Sequence, residues 1–288
     1  MMHRQQREVR RSVSTVEELK PVPVTLGGVR GGPDDVRTLR RDSWGVEKWT
    51  TFCVLTAFVA YSTWAAFQNG YFYVGAAQHR DLLSPFYSPC LTYTCLAHPG
   101  SHGSFVLDWW KLSPALLILI IPLGFRLTCY YYRKAYYRAF WQSPPACGVA
   151  DGHRNYAGET RFPLILQNIH RYFFFLGLIL NVILTIDAIQ AFRFPGQGIG
   201  VSVGTLVLVV NALLLWSYSL SCHACRHLCG GNVSRFSKHP VRFQLWKAVT
   251  PLNGRHMQIA WASLVVVALS DLYVRLVASG AFHDPKIF

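Results

Sequence analysis

Charged residues are scarce in this chain of 288 residues, since Asp, Glu, Lys and Arg make up 15% of it. Soluble domains contain about 25%. Acidic residues are scarcest, with 14 Asp and Glu against 28 Lys and Arg, whereas hydrophobic residues make up 51% of the chain. This balance argues against an ordinary soluble enzyme and indicates a membrane protein.

The first 42 residues lack the long apolar runs of the rest of the chain. They are polar, basic and contain Gly and Pro, so we expect residues 1–42 to be a tail that is disordered alone. Such a tail can lie along a partner or along the anionic lipid of the inner leaflet. It has no apolar core of the roughly 7 to 15 residues that a signal peptide needs. Residues 43–288 then form the transmembrane domain.

Five apolar runs are long enough to cross a membrane, which takes about 20 helical residues for a layer ~30 Å thick. The predicted helices lie near residues 49–69, 112–132, 169–190, 199–221 and 256–276. Pro114 and Pro122 interrupt the second run, although neighbouring helices can satisfy the backbone groups that proline frees. The predicted fold is all-α, a polytopic membrane protein with a bundle of five transmembrane helices.

Positive charge is distributed unevenly among the loops. Residues 1–48, the second loop and the fourth loop carry twenty-one Lys and Arg residues, whereas the other loops and the C-terminal tail carry four. By the positive-inside rule, the N-terminus is cytoplasmic and the C-terminus lies outside. Nucleic-acid binding needs a basic face on a folded soluble domain. Because none is present, the net charge of +14 reflects topology and no nucleic-acid partner is expected.

The loops differ in character. The first loop lies outside and contains Cys90 and Cys95 beside His98 and His102. A disulfide suits the oxidising exterior, and a metal site is the alternative. The second and fourth loops are rich in Arg and aromatic residues, which are enriched at protein interfaces. They predict one docking face for a soluble partner, with contacts at Arg133, Arg138, Arg242 and Trp246; anchoring at lipid headgroups is the alternative.

Soft metal ligands collect in SLSCHACRHLCGG, residues 219–231, where the predicted fourth helix meets the cytoplasm. If that helix continues, Cys222, Cys225 and Cys229 share one face, and His223 and His227 share another. Because the cytosol is reducing, this spacing indicates metal or redox chemistry and not a structural disulfide.

The topology brings further ligands to the same side of the membrane, namely Cys129, Cys147, His153, His170, His239 and His256. The predicted metal ligands are Cys222 and Cys225, His227 in preference to His223, Cys147 as the outside thiolate, and a second histidine from His153, His170 or His239. Cys229 is left out because Gly230 and Gly231 indicate a helix end.

Three metal centres fit these ligands. The preferred one is a Rieske-type [2Fe-2S] cluster, in which two histidines replace two cysteines on one iron. A structural zinc ion held by the cysteines and one histidine is the second. One haem b is the third, because His170 and His256 alone present imidazoles from within helices at the cytoplasmic ends. A transmembrane pair of haems is excluded in this topology.

A quinone site is predicted beside this centre. Buried ligand sites are mostly apolar and have a few placed polar groups. The residues that flank the third and fifth helices on the cytoplasmic side supply both kinds of group: His170, Arg171, Tyr156, Trp246, Arg255, His256 and Trp261.

Four segments carry a family resemblance: CYYYRKAYYRAFWQSPPACGVA, FPLILQNIHRYFFFLG, SCHACRHLCGG and KHPVRFQLWKAVTPLNGRHMQIAWASLVVVALSDLYVRL. They resemble the single-chain, five-helix membrane anchor of actinobacterial succinate dehydrogenases, over most of residues 112–276. The resemblance is greatest to the mycobacterial type, in which a membrane-embedded Rieske-type cluster stands where related anchors hold haem.

This resemblance implies a subunit of a respiratory complex in the bacterial cell membrane. A flavoprotein subunit would oxidise succinate, an iron-sulfur subunit would pass on the electrons, and this chain would supply the site for menaquinone or ubiquinone. A higher oligomer of the complex is also implied. The chain contains no flavin fingerprint and no ferredoxin-type cysteine run, so it cannot oxidise succinate alone.

Other functional classes stay open at this point. A zinc-braced membrane acyltransferase would use a cysteine activated by histidine, which CHAC offers, but the loop lacks further cysteines. A haem-binding quinone anchor of another oxidoreductase is a second alternative. A transporter would have charges along a path, yet Asp187, Asp271 and Arg275 fall near outer helix ends, where Asp271 can pair with Arg275.

Overall fold

A computed structural model describes residues 42–75, 78–90, 109, 112–152, 158–162, 164–231 and 233–288. The helices in these residues are α1 (Trp44–Gln68), α2 (Ala115–Ile118), α3 (Ile120–Leu127), α4 (Tyr130–Ala139), α5 (His170–Gln190), α6 (Val203–Ser221), α7 (His223–Gly230), α8 (Pro240–Gly254) and α9 (His256–Ala278). Two antiparallel pairs of short strands join them, β1 (Tyr73–Val74) with β2 (Leu82–Leu83) and β3 (Arg193–Phe194) with β4 (Gly198–Ile199). Short 3-10 helices cover Gly158–Thr160, Leu164–Ile169 and Phe236–Lys238.

The described part of the chain has four helices that are long and apolar enough to cross a membrane. They are α1, α5 with the end of the 3-10 helix before it, α6 and α9. A fifth candidate consists of Ala115–Leu127 followed by α4, but these two parts meet at 79°. The prediction of an all-α membrane protein is therefore confirmed.

The second predicted span, residues 112–132, is wrong as one continuous helix. Helix α3 ends at Leu127, and Cys129 has an extended backbone (φ −65°, ψ 134°) before α4 begins. The hydroxyl of Thr128 donates to the carbonyl oxygen of Gly124 at 2.7 Å. Such side-chain bonds compete with regular helix geometry. The break places Cys129 at a corner between two helices, where its side chain is buried.

The fourth span begins at Val203 and not near residue 199, because Gly198 and Ile199 form strand β4. Ser202 caps the helix. Its hydroxyl accepts from the Thr205 amide at 3.2 Å, and the Thr205 hydroxyl accepts from the Ser202 amide at 3.3 Å. These reciprocal bonds satisfy two amides that a helix start leaves without partners.

We expect Ser202→Ala to lower the stability of the protein, because it removes this cap. N-cap replacements of this kind cost about 0.5–2 kcal/mol. Thermal unfolding of the purified protein in detergent measures the effect. The control is Ser217→Ala in the same helix, whose hydroxyl donates to the Leu213 carbonyl at 2.8 Å. Equal unfolding temperatures for the two variants would contradict a capping role.

A distal polar network, made of Tyr61, Ser84, Asp271 and Arg275, joins the C-terminal ends of α1 and α9. The Arg275 Nε atom donates to Asp271 Oδ2 at 2.8 Å, which confirms the predicted pair. The Tyr61 hydroxyl donates to the same oxygen at 2.6 Å, and the Ser84 hydroxyl donates to the other carboxylate oxygen. Arg275 also donates to the carbonyl oxygen of Ala65. This network fixes one end of the bundle.

Two further contacts stabilise the same end. Arg80 pairs with Asp284 at 2.7 Å, and Asp284 accepts from the Gly204 amide at the start of α6. Cys90, in the first predicted loop, is disulfide-bonded. This agrees with the disulfide interpretation of that loop, although Cys95, His98 and His102 lie outside the described residues.

The largest buried cluster lies at the other end of the bundle. It packs aromatic rings around cysteines where α3, α5, α6 and α9 approach one another, and includes Phe125, Cys129, Tyr132, Phe174, Tyr218, Cys222 and Cys225. Sulfur is therefore concentrated in the core at one end of the protein.

Candidate functional site

Two cysteine–histidine pairs meet in this core. The Nε2 atom of His170 lies 3.0 Å from the Cys222 sulfur, and the Nε2 atom of His256 lies 3.2 Å from the Cys129 sulfur. Cys129 and Cys222 are 1% and 2% exposed, and their sulfurs interact electrostatically. We call these four residues the Cys-His cluster. Thiolate and imidazole are the ligands that soft and borderline metal ions select.

Each member of the Cys-His cluster lies where a helix starts or breaks. His170 and His256 are the first residues of α5 and α9. Cys129 lies between α3 and α4, and Cys222 lies between α6 and α7 with an extended backbone (φ −64°, ψ 144°). Four separate parts of the chain thus contribute one ligand each.

The residue before each cysteine orients a histidine of the opposite pair. The Thr128 hydroxyl lies 2.9 Å from Nδ1 of His170, and the Ser221 hydroxyl lies 2.7 Å from Nδ1 of His256. Each imidazole therefore has one nitrogen against a hydroxyl and the other against a thiol. Hydrogen bonds of this type fix the ring orientation of histidine ligands. The two pairs are interlocked into one site.

Aromatic rings cover the imidazoles. Phe125 stacks on His170 with centroids 5.1 Å apart, and Tyr218 stacks on His256 at 5.2 Å. Phe125 and Tyr218 contact each other at 5.2 Å. A haem held by both histidines needs both Nε2 atoms directed at one iron, whereas these two atoms contact different sulfurs. The donor set therefore favours a thiol and imidazole centre over haem.

Arg126 lies beside the Cys-His cluster. Its guanidinium donates to the Tyr132 hydroxyl at 2.8 Å and to the Ser263 hydroxyl at 3.1 Å, and its central carbon lies 4.7 Å from the centroid of the Tyr218 ring. Among the described residues, the buried Tyr218 hydroxyl has no nitrogen or oxygen partner, and it interacts with the Cys129 thiol. A cation and a hydroxyl thus both interact with Cys129.

Burial raises the pKa of the Cys222 thiol to about 12 and that of the Cys225 thiol to about 11. Both thiols therefore hold their protons near neutral pH. Because metal ligands must be deprotonated, a metal ion that binds Cys222 displaces its proton.

The assumption that the fourth helix continues through Cys229 is wrong. Helix α6 ends at Ser221, and Cys222 is the N-cap of α7, where its sulfur accepts from the Ala224 amide at 3.4 Å. The cysteines therefore do not share one helix face. Cys222 joins the Cys-His cluster, whereas the Cys225 sulfur lies beside that of Cys229 in α7.

The remaining predicted metal ligands have other partners. Arg171 donates to Nδ1 of His227 at 2.6 Å, and Arg138 donates to the Cys147 sulfur at 3.1 Å. His223 is exposed. His153 lies outside the described residues.

The predicted quinone residues separate into groups. His170 and His256 belong to the Cys-His cluster, and Arg171 contacts His227. The Trp246 ring is covered by the Arg226 guanidinium at 4.6 Å and by Phe236. The Trp261 indole donates to the Tyr131 hydroxyl at 2.5 Å. Arg255 is exposed, and Tyr156 lies outside the described residues.

Cys129 is the member of the Cys-His cluster that the predicted ligand set does not include. The sequence places it inside the predicted second helix, with no sign of the corner between α3 and α4. Its partnership with His256 requires the break after Leu127. The signal available in the sequence was that His170 and His256 lie at the predicted starts of the third and fifth helices.

The arrangement differs from a site for a single ion. Within the described ranges, no three Cys, His, Asp or Glu side chains surround one point closely enough to hold an ion. The Cys-His cluster brings together two sulfur and two nitrogen donors, each sulfur in contact with one nitrogen.

Comparisons with known proteins identify relatives of the chain. Residues 46–280 match the family model described as actinobacterial succinate dehydrogenase subunit SdhC. A solved structure of the Mycobacterium smegmatis Sdh1 complex in the apo form contains a chain that is 48% identical, with a TM-score of 0.80. The match covers 91% of this chain and 97% of that one. The comparison with curated proteins gives no match.

Proposed function

Since the chain belongs to the actinobacterial SdhC family of succinate dehydrogenase membrane subunits, we propose that it carries electrons from the soluble subunits to a quinone. It is a subunit of the enzyme and is not catalytic alone. The soluble partners are an iron-sulfur subunit and a flavoprotein subunit. Family membership rejects the acyltransferase and transporter interpretations.

The Cys-His cluster is the proposed site of a Rieske-type [2Fe-2S] centre. Such a centre takes two thiolates and two imidazoles, and these are the four donors gathered here. The observation that carries the proposal is the pair of nitrogen–sulfur contacts at 3.0 and 3.2 Å. When bound, the centre supplies one-electron transfer at a potential that histidine ligation raises.

The protein's own residues prepare this site. Thr128 and Ser221 hold the two Nδ1 atoms, so both Nε2 atoms are directed at the thiols. Phe125 and Tyr218 fix the planes of the imidazoles and exclude water from the donors. Site-forming ligands held in this way need little rearrangement to bind metal.

Zinc is the competing occupant, because two cysteines and two histidines also form zinc sites. Zinc needs all four donors about 2.0–2.3 Å from one centre, whereas a two-iron core takes the two thiolates on one iron and the two imidazoles on the other. Elemental analysis of the purified complex distinguishes the two. Acid-labile sulfide in excess of that in the soluble subunits supports the proposal, and stoichiometric zinc contradicts it.

The quinone site is proposed next to Tyr131, in the small open pocket between α1 and α4. Its apolar and aromatic lining comes from Trp44, Tyr131, Ala135, Ala139 and Pro145, and its polar and charged lining from Glu47, Lys48, Thr51, Lys134 and Arg138. The Tyr131 hydroxyl accepts a hydrogen bond from the indole of Trp261. Within the described part of the chain no group accepts the hydrogen of this hydroxyl, so the hydroxyl can donate to a quinone carbonyl. Quinones need such donors and apolar walls.

An aromatic path joins this pocket to the metal site. The Tyr131 ring contacts that of Tyr132 at 5.5 Å, and Tyr132 contacts Tyr218 at 6.4 Å. Tyr218 stacks on His256. Contacting aromatic rings would therefore connect a quinone in this pocket to the proposed centre. Menaquinone and ubiquinone have the carbonyls that this pocket would bind.

We expect Tyr131→Phe to lower quinone reduction by the purified complex about two- to tenfold, since a lost hydrogen bond costs about 0.5–1.5 kcal/mol. Reduction of a soluble dye by the partner subunits should not change. The matched control is Tyr130→Phe, whose side chain is 69% exposed. Equal loss of both activities, or an equal effect of the control, would argue against this pocket.

The docking face is proposed on the second and fourth loops, where Arg133, Arg138, Arg242 and Trp246 stay predicted contacts. Arg242 donates to the carbonyl oxygens of Leu228, Cys229 and Gly231, so it fastens the end of α7. Exposed apolar side chains on the same loops are further candidates, as at Phe162, Val241 and Leu245. Such residues commonly form the cores of interfaces.

Five crossings with a cytoplasmic N-terminus are proposed for the topology. The Cys-His cluster unites Cys129, Cys222, His170 and His256, which supports one common side for these helix ends. A reporter that is active only outside the membrane should be active at the C-terminus. Activity of a cytoplasmic reporter at that position would contradict the assignment.

A further inference from the structure

Arg126 is a cation in a candidate membrane span, and its partners are all neutral. It donates to the hydroxyls of Tyr132 and Ser263 and, at 3.4 Å, to the Ala260 carbonyl. Over the described ranges, no carboxylate pairs with it. Arg80 and Arg275 each pair with an aspartate at 2.7 and 2.8 Å. Arg126 therefore lacks the counter-charge that the other two arginines have.

An uncompensated charge inside a membrane protein is costly, so intramembrane charges are retained mainly where they serve a function. Neutral hydrogen bonds offset only part of the cost of taking a guanidinium out of water. An anionic group near Arg126 would offset the remaining cost.

The Cys-His cluster is the neighbour that can supply this anion. Cys129 follows Arg126 by three residues and interacts with it electrostatically. The Tyr218 ring contacts both groups, with its centroid 4.7 Å from the guanidinium carbon and 5.2 Å from the centroid of the His256 imidazole. His256 also interacts electrostatically with Arg126, so the guanidinium adjoins the site.

The sign of the interaction follows from the charges. Two thiolates balance a core of two ferric ions and two sulfides, so the oxidised site is neutral. One electron from the iron-sulfur subunit leaves a single negative charge. A fixed cation lowers the energy of that negative form more than that of the neutral form.

We propose that Arg126 is a positioning residue that raises the reduction potential of the centre in the Cys-His cluster, an inference that rests on the proposed function. By this role Arg126 makes the centre a better acceptor for electrons from the soluble subunits. Its charge, and not its hydrogen-bond pattern, is what matters.

The test is a redox titration of the purified complex, followed by the spectrum of the reduced centre. In Arg126→Met, the ratio of reduced to oxidised centre at a fixed potential should fall about tenfold, which is ~59 mV for one electron. Arg126→Lys should stay close to the wild type because it keeps the charge. Equal shifts in the two variants, or no shift in Arg126→Met, would overturn the inference.

A second variant covers the case in which Arg126→Met fails to assemble. Ser263→Asp places a carboxylate beside the guanidinium, since the Ser263 oxygen lies 3.1 Å from Nη2. This variant should lower the potential in the same direction, whereas Ser263→Ala should not. An unchanged potential in Ser263→Asp would overturn the inference. Absence of the centre from the wild-type complex would instead reject the proposed function.

Discussion

Cys222→Ser is expected to remove the metal centre proposed for the Cys-His cluster completely, together with its share of iron and acid-labile sulfide. Cys222 is 2% exposed and contacts His170, so water cannot easily replace its sulfur. Serine is a poor substitute because hard oxygen ligands bind iron–sulfur cores less well than thiolates do. Electron transfer to quinone should fall with the centre, while dye reduction by the soluble subunits continues.

Cys225→Ser is the matched control for this experiment. Cys225 lies three residues further along, is 6% exposed and adjoins Cys229, outside the two cysteine–histidine pairs. Its replacement should leave the iron content and the spectrum unchanged. Loss of the centre in Cys225→Ser with retention in Cys222→Ser would restore the sequence-based ligand set and reject the structural one.

Asp271→Leu is expected to destabilise the protein by about 3–5 kcal/mol, the usual cost of removing one partner of a buried ion pair. Arg275 would keep its charge at 5% exposure, and the Tyr61 and Ser84 hydroxyls would lose their acceptor. Thermal unfolding of the purified protein should show a large decrease in the midpoint temperature.

The double variant Asp271→Leu with Arg275→Leu is the control, because replacing both members of a buried pair is often close to neutral. It should recover much of the stability that the single variant loses. If the single variant is as stable as the wild type, the distal polar network does not fix this end of the bundle.

The membrane fold was largely predictable from the sequence, because apolar runs and loop charges depend on local composition. The Asp271 and Arg275 pair was predictable too, since residues four apart on a helix lie side by side. Helix breaks were harder to predict. The corner at Cys129 depends on Thr128 and on packing against other helices, and no glycine or proline marks it.

The sequence indicated that cysteines and histidines collect at one end of the bundle, but not which of them contact each other. The spacing within residues 219–231 favours Cys222 and Cys225 as a ligand pair, because a continuous helix would place both on one face. The N-cap position of Cys222 separates it from them and directs it to His170. Contacts between Cys129 and His256, 127 residues apart, depend on tertiary packing that one sequence does not reveal.

The most direct test of the central claim is electron–nuclear double resonance on the reduced complex, with histidine nitrogen isotopically labelled. If the Cys-His cluster holds a Rieske-type centre, strong couplings from two directly bonded nitrogens should change with the label. They should disappear with the signal in Cys222→Ser and persist in Cys225→Ser. A reduced complex whose signals all lack histidine nitrogen coupling would contradict the account.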